Sequence, residues 1–195
     1  MHAKSASKRI APALSRTALV ATALAGLLGS AAACAQALSE QQVKAAFLYN
    51  FTKFVEWPAE AFAAPQAPFV LCIPGRDALG GNLDAIQGRT VQGHELRVKR
   101  SVRPDEVKAC HVLFVPEAQE GPVAELVRAA RTLPVLTVGE SEGFAEAGGA
   151  IGFVAREDRV HFEINLDAAS RASLRISSQL LRLATIVRDG RRARP

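Results

Sequence analysis

The sequence lacks the short motifs that mark most nucleotide-binding and metal-binding proteins. It has no phosphate loop ending in Gly-Lys-Ser/Thr, no GxGxxG fingerprint and no CxxC pair. The histidines that follow residue 37 are His94, His111 and His161, and no two of them lie at metal-ligand spacing. The sequence therefore predicts no metal, no other cofactor and no catalytic residue.

The body of the chain also lacks the basic excess that the composition suggests. The formal net charge is +5, but four lysines and arginines and no acid lie in residues 1–37. Residues 188–195 hold four arginines and one acid, so residues 38–187 carry a net charge of −2. Proteins that bind nucleic acids neutralise phosphates with a clustered basic surface, so we expect no nucleic-acid partner.

The first 37 residues have the pattern of an export signal. Basic residues precede an apolar run at 18–28, and Ala35-Gln36-Ala37 matches the A-x-A form that a signal peptidase reads. The apolar run is short for a membrane span, which needs about 20 residues. We therefore expect residues 1–37 to be a cleaved signal peptide. Lipidation at Cys34 is the alternative that this segment leaves open.

Removal of the leader leaves 158 residues, a length that suits one domain with its own hydrophobic core. We place this domain at residues 38–187 and interpret 188–195 as a basic C-terminal tail. Two cysteines remain, Cys72 and Cys110, and an oxidising compartment allows them to form a disulfide. Two buried thiols that pack as small hydrophobic side chains are the alternative.

Helices and strands are expected to alternate along the mature chain. Periodicity and capping signals indicate helices at 40–55, 77–86, 104–109, 121–131 and 167–187. Short apolar or alternating runs indicate strands at 69–73, 96–100, 111–115, 135–138, 150–155 and 159–165. This order predicts an α/β fold: a single domain whose mostly parallel sheet of about six strands is flanked by helices. The last two strands are expected to form an antiparallel pair near the C-terminus.

The last predicted strand offers a candidate binding rim. Along 159–165 the side chains alternate, so that His161, Glu163 and Asn165 point away from the apolar side. This polar face is either an ordinary solvent face or a binding surface. In the second case Arg175, from the following segment, completes it by pairing with Glu163.

Other candidate groups lie near the first helix. Trp57 stands at its end, before a proline, and is either a packing plug or an interface anchor. Tyr49, Asn50 and Lys53 bring aromatic and polar groups together on the helix itself. The glycine-rich segment 75–81 follows a strand, where backbone amides can hold an anion, although an ordinary turn is the simpler interpretation.

Several segments, taken in order, resemble the YfiR/HmsC family. They are VKAAFLYNFTKFVEWP at 43–58, CHVLFV at 110–115, PVLTV at 134–138, GFA at 143–145 leading to GG at 148–149, and the segment 160–166 followed by LRISSQLLRLA at 174–184. The resemblance covers essentially the whole mature chain and begins directly after the leader.

The resemblance implies a periplasmic protein without catalysis. Members of the family repress an inner-membrane diguanylate cyclase by contacting its periplasmic sensor part, which lowers cyclic-di-GMP signalling and biofilm formation. An outer-membrane lipoprotein can sequester the repressor. The resemblance also implies a disulfide between Cys72 and Cys110. A second cysteine pair found in some members is replaced here by Ala145 and Gly152.

Three functions are therefore open at this stage. The first is repression of a cyclase, in which Trp57, Glu163, Asn165 and Arg175 bind the partner; self-association into a homodimer is also open. The second is a periplasmic sensor domain that binds a nucleotide or an amino acid at the segment 75–81. The third is a thiol oxidoreductase that uses the two cysteines of the mature chain.

Overall fold

The computed structural model describes residues 38–75, 79–117, 123–156 and 159–192. The expected signal peptide, including Cys34, and residues 76–78 of the glycine-rich segment lie outside these ranges.

Four α-helices and eleven strands are present among the described residues. The helices are α1 (Glu40–Phe54), α2 (Val123–Ala130), α3 (Leu166–Arg171) and α4 (Ser178–Leu181), with 3-10 turns at Ala59–Ala61 and Pro104–Ala109. The strands are β1 (Val55–Glu56), β2 (Phe69–Ile73), β3 (Thr90–Val91), β4 (His94–Arg100), β5 (Val112–Val115), β6 (Leu136–Gly139), β7 (Ile151–Arg156), β8 (Arg159–Asn165), β9 (Arg175–Ile176), β10 (Thr185–Arg188) and β11 (Arg191–Arg192).

Helix α1 forms where the sequence predicts it, because both of its ends carry strong signals. At the start, Ser39 Oγ accepts from the Gln42 amide at 3.2 Å, and Gln42 Oε1 accepts from the Ser39 amide at 2.8 Å. This reciprocal capping box satisfies two amides that the first turn leaves unpaired. At the other end Val55 is already extended, and the proline at 58 keeps the chain out of the helix.

Nine strands of the described chain form one mixed sheet, in the order β11-β10-β8-β7-β6-β5-β2-β4-β3. The run from β4 through β2, β5 and β6 to β7 is parallel, and so is the pair β8–β10. The pairs β3–β4, β7–β8 and β10–β11 are antiparallel. A separate two-stranded ribbon joins β1 to β9.

This topology confirms the α/β class and the antiparallel pair near the C-terminus, which is β7–β8. The prediction of about six strands in a mostly parallel sheet is wrong, because the sheet is mixed and has more strands. The additional strands β3, β10 and β11 have only two to four residues each. The two-residue strands β3 and β11 are too short to show a period of two, and β10 lies mostly in the stretch that was predicted as the helix 167–187.

Two predicted helices are also wrong. Residues 79–88 form successive turns instead of a helix, and Gly80 and Gly81 have φ of +58° and +82°. Those left-handed values interrupt helical geometry, and glycine adopts them without steric cost. The expected helix 167–187 is divided into α3, β9, α4 and β10, with Ser173 at φ +56° ending the first piece and Ser177 capping the second.

Helix α1 covers one face of the sheet with aromatic side chains. The ring centroids of Phe47 and Phe51 lie 5.4 and 5.1 Å from that of Phe162 in β8. Phe153 in β7 joins the same cluster at 5.9 Å from Phe51. Aromatic pairs at these separations add specific attraction to the burial of their area. The antiparallel hairpin β7–β8 is therefore the platform for α1.

The turn after β6 is packed around one phenylalanine. A Cβ atom added at Gly139 or at Gly149 would fall inside the ring of Phe144, so both positions exclude any side chain. At Gly152 an added Cβ would lie 3.2 Å from the Ala145 nitrogen. Gly139, Gly149 and Gly152 thus allow Phe144 and Ala145 to approach the sheet backbone closely.

We expect Gly149→Ala to lower the free energy of unfolding by about 1–3 kcal/mol, because the new methyl group overlaps the Phe144 ring. Urea unfolding of Gly149→Ala, Phe144→Ala and the double variant measures the coupling. The alanine should cost much less in the Phe144→Ala background. If Gly149→Ala lowered the free energy of unfolding equally with and without the Phe144 ring, the ring would not be the reason that position 149 requires glycine.

Candidate functional site

The two cysteines of the described chain form a buried disulfide. Cys72 lies in β2, Cys110 lies just before β5, and their Cα atoms are 5.8 Å apart. The bond thus spans two neighbouring parallel strands. Cys72 is 0% exposed and Cys110 is 4% exposed. The predicted disulfide is confirmed, and its burial argues against thiol exchange with a substrate, which needs an accessible sulfur.

Trp57 fills the space between the end of α1 and the sheet. It is 8% exposed, its Nε1 donates to the His111 carbonyl at 3.1 Å, and its ring meets Phe69 edge-on at 4.8 Å. Its one polar atom is therefore satisfied inside the protein. Of the two interpretations that the sequence left open, this geometry supports the packing plug.

His111 lies at the centre of a ring stack beneath Trp57. Its centroid is 4.7 Å from Phe69 and 4.5 Å from Phe62, and Phe62 in turn stacks on His94 at 3.9 Å. The Val70 amide donates to His111 Nδ1 at 3.0 Å, which assigns the proton of the neutral ring to Nε2. The imidazole nitrogen thus takes the place of a backbone carbonyl as the acceptor for the Val70 amide of β2.

The stack keeps His111 neutral. Burial, reinforced by the neighbouring His94, lowers the pKa of His111 from 6.5 to about 4, against a small opposing effect of the Ala61 carbonyl. Nε2 is buried and has no hydrogen-bond partner of ordinary geometry among the described residues. A proton added to this ring would place a charge in the core without a counterion.

Asn165, predicted as a rim residue, lies inside the protein as a helix cap. It is 0% exposed, and its Oδ1 accepts from the Ala168 amide at 3.0 Å at the start of α3. Its Nδ2 donates to the Ala145 carbonyl and to an Asp189 carboxylate oxygen, each at 2.7 Å. Hydrogen bonds from Arg171 and then Asn165 lower the pKa of Asp189. Asn165 thus ties together β8, α3, the loop after β6 and the end of β10.

Glu163 and Arg175 do not meet, so the expected pairing between them is wrong. Glu163 is 3% exposed, and its Oε1 lies 3.7 Å from Nη2 of Arg156 in β7. Arg175 instead lies in the outer ribbon, where its Nη2 donates to Glu56 Oε2 at 2.6 Å. Its side chain is 83% exposed. The four predicted site residues therefore do not form one continuous surface.

An open groove lies beside α1, where the helix meets the β7–β8 hairpin. We call it the α1–hairpin groove; its volume is about 600 Å³, and its lining includes Leu38, Val43, Phe47, Val160, Arg156 and Arg159. Leu38 is 69% exposed, which is rare among the large apolar side chains described. The lining also contains Glu40, and Arg156 lies 3.7 Å from Glu163, which leaves Arg159 as the groove cation without a described carboxylate partner. A concave apolar strip with such an arginine is suited to an apolar segment that also carries an acidic residue. Patterning of single elements did not reveal the groove, because two elements distant in sequence form it.

One segment, Gly139-Glu140-Ser141-Glu142-Gly143, has the spacing of a nucleophile elbow. Ser141 is followed by turns and not by a helix. The carboxylate of Glu140 forms an ion pair with Lys44, with Nζ 2.6 Å from Oε1. Within the described ranges Ser141 has no hydrogen bond to a histidine. The segment therefore lacks the geometry that a serine hydrolase needs.

Among the described residues no helix is both long and apolar enough to span a membrane. The same part of the chain holds no group of three or more His, Cys, Asp or Glu side chains arranged for a metal ion.

The family model described as YfiR/HmsC-like matches residues 41–185. The match extends from α1 to the first residue of β10. It thus includes the disulfide, the histidine stack and the α1–hairpin groove except Leu38 and Glu40.

Replacing both cysteines by alanine should lower the free energy of unfolding by about 4 kcal/mol, since the loop-entropy model gives that value for cysteines 38 residues apart. Urea unfolding with and without dithiothreitol measures it. The reductant should destabilise the natural protein by a similar amount and leave the double variant unchanged. Equal stability of the oxidised and reduced forms would contradict this account.

We expect stability to fall between pH 6.5 and pH 4 by an amount on the order of 2 kcal/mol, because only unfolded His111 takes up a proton there. Stability is thus greatest above pH 6.5 and is lost as the pH falls. His111→Asn keeps an acceptor for the Val70 amide and should flatten this part of the curve. His161→Asn, at an exposed position, is the control; identical curves for both variants would exclude His111 as the source.

Proposed function

Because the chain belongs to the YfiR/HmsC-like family, we propose that it is a non-enzymatic periplasmic repressor of a membrane diguanylate cyclase. Proteins of this family are periplasmic regulators of such cyclases. The match over residues 41–185 is the observation that carries the proposal. In this proposal the signal peptide at 1–37 exports the protein, which then binds the periplasmic sensor part of its cyclase.

The physical mechanism is a population shift. A soluble domain can silence a receptor only if it binds the inactive state of the receptor more tightly than the active state. The ratio of the two affinities sets the largest possible change in cyclase activity. No chemical step is required of the repressor, only a rigid surface that fits one state.

We assign that surface to the α1–hairpin groove. Its apolar part, with exposed Leu38 and half-buried Phe47 and Val160, can bury a partner segment, and Arg159 can pair with an acidic residue of that segment. The phenylalanine cluster below holds both walls in place, so little ordering is needed on binding. A lipoprotein that used the same groove would compete with the cyclase and release it.

The residues predicted from the sequence then contribute in two ways. Arg175 is exposed and can contact a partner directly, in addition to its pair with Glu56. Trp57, Glu163 and Asn165 are buried and would act by keeping the hairpin and the ribbon in position. Because an exposed ion pair contributes about 0–1 kcal/mol to stability, Arg175→Ala can be tested for binding without unfolding the protein.

Deleting the gene should raise cellular cyclic-di-GMP and biofilm, and restoring the natural gene should lower both. The groove variant Leu38→Ser/Arg159→Glu should fail to restore repression, because it removes the exposed apolar contact and reverses the charge. Leu183→Ser/Arg182→Glu is the matched control, since Leu183 is 71% exposed and Arg182 is also exposed. Immunoblots should show equal amounts of correctly processed protein.

Two results would contradict the proposal at different levels. Unchanged cyclic-di-GMP and biofilm after deletion would reject the repressor role. If deletion raises cyclic-di-GMP and biofilm but the groove variant restores full repression, the repressor role stands. The α1–hairpin groove is then rejected as the contact surface.

A further inference from the structure

A second groove lies on the other flank of α1, and Leu38 is the one lining residue that it shares with the α1–hairpin groove. It has a volume of about 430 Å³ and lies between α1 and the turns at 79–89. The ring of Tyr49 contributes to its lining. We call it the Tyr49 groove, and its other polar groups include Asn50, Lys53, Asn82 and Arg89.

Two cations converge on the tyrosine. Lys53 Nζ lies 4.2 Å from the centroid of the Tyr49 ring, and the Arg89 guanidinium carbon lies 5.2 Å from it. Both distances are measured from one point, so the charges are at most about 9.4 Å apart. Even at that limit, which slightly exceeds the Debye length of about 8 Å at physiological salt, salt screens much of the repulsion between these two exposed charges, and one small ligand can contact both.

The described protein does not neutralise this charge. None of the described residues lining the groove is acidic, and neither Lys53 nor Arg89 forms an ion pair with a described carboxylate. The nearby Asp84 is bonded instead to Arg100 at 2.7 Å. The groove thus holds two positive charges and several neutral donors. That combination favours an anion.

The cations are also held in place before any ligand arrives. Arg89 Nε donates to the Ala85 carbonyl at 3.1 Å, which fixes the guanidinium and leaves its terminal nitrogens outside this bond. The tyrosine ring positions both charges by cation–π contact. Side chains ordered in advance lose less entropy on binding, which raises affinity for a ligand that matches them.

We propose that the Tyr49 groove binds a small soluble organic phosphate. A phosphate monoester carries about −1.5 to −2 charges at pH 7 and three acceptor oxygens, which match two cations and the amide of Asn50. Asn82 Nδ2 donates one hydrogen to the Leu79 carbonyl and has a second for the ligand. A zwitterionic amino acid fits less well, because its ammonium group would meet no described carboxylate in the groove. The apolar stretch formed by Ile86 and its neighbours receives the organic part.

The chain offers a direct reporter of this site, since Tyr49 is its only tyrosine. Protein labelled with 3-fluorotyrosine therefore gives one fluorine NMR signal, and that signal comes from the groove. We expect glycerol 3-phosphate to shift it saturably, inorganic phosphate to shift it more weakly, and glycine to leave it unchanged at equal ionic strength. Calorimetry on the unlabelled mature protein supplies an independent affinity.

Neutralising the cations tests the assignment of the ligand groups. Lys53→Gln and Arg89→Gln should each weaken binding of glycerol 3-phosphate roughly tenfold, as expected for the loss of one charge-assisted hydrogen bond. Lys108→Gln and Arg182→Gln make the same charge changes at exposed positions outside the groove and should leave the affinity unchanged. Circular dichroism should show all four variants folded.

Several outcomes would overturn the proposal. They are an absent or non-saturable shift, equal affinity in the groove variants and the controls, and glycine binding as tightly as glycerol 3-phosphate. Sedimentation with phosphatidylglycerol vesicles, but no response to soluble phosphates, would also overturn it, since the ligand would then be a membrane surface. None of these results depends on whether the protein represses a cyclase.

Discussion

The packing of α1 against the β7–β8 hairpin is the constraint on which the rest of the structure depends. Phe47 and Phe51 meet Phe162 within 5.4 Å, and this contact determines how the helix lies on the sheet. Both grooves follow from it, one on each flank of the helix. A change in the aromatic cluster would therefore alter the proposed partner surface and the proposed phosphate site together.

Patterns within one element predicted structure well, and contacts between elements were not predictable. Helix α1 and the hairpin were found because each carries its own period, cap or turn. Ser173 and Ser177 divide the expected helix 167–187, because local backbone and capping geometry outweighed an apolar spacing that resembled a helix. Alternation along β8 correctly separated Glu163 and Asn165 from the apolar face. It could not show that α3 and the end of β10 enclose Asn165.

Gly139, Gly149 and Gly152 have a physical explanation that composition alone does not supply. They are small because Phe144 and Ala145 lie directly against them. The disulfide, by comparison, was predictable because two cysteines follow the expected signal peptide, and the oxidising compartment expected for the protein favours their pairing. The role of a residue is thus predictable from sequence when its type has one usual function, as for two cysteines in an oxidising compartment. It is not predictable when the role depends on which side chain packs against the residue.

The two ends of the sheet restrict how a partner can bind. The edge strands β3 and β11 have two residues each, and both residues of β11 are arginines. Short and charged edges are poor templates for an incoming strand. Addition of a partner strand to this nine-stranded sheet through backbone hydrogen bonds is therefore disfavoured.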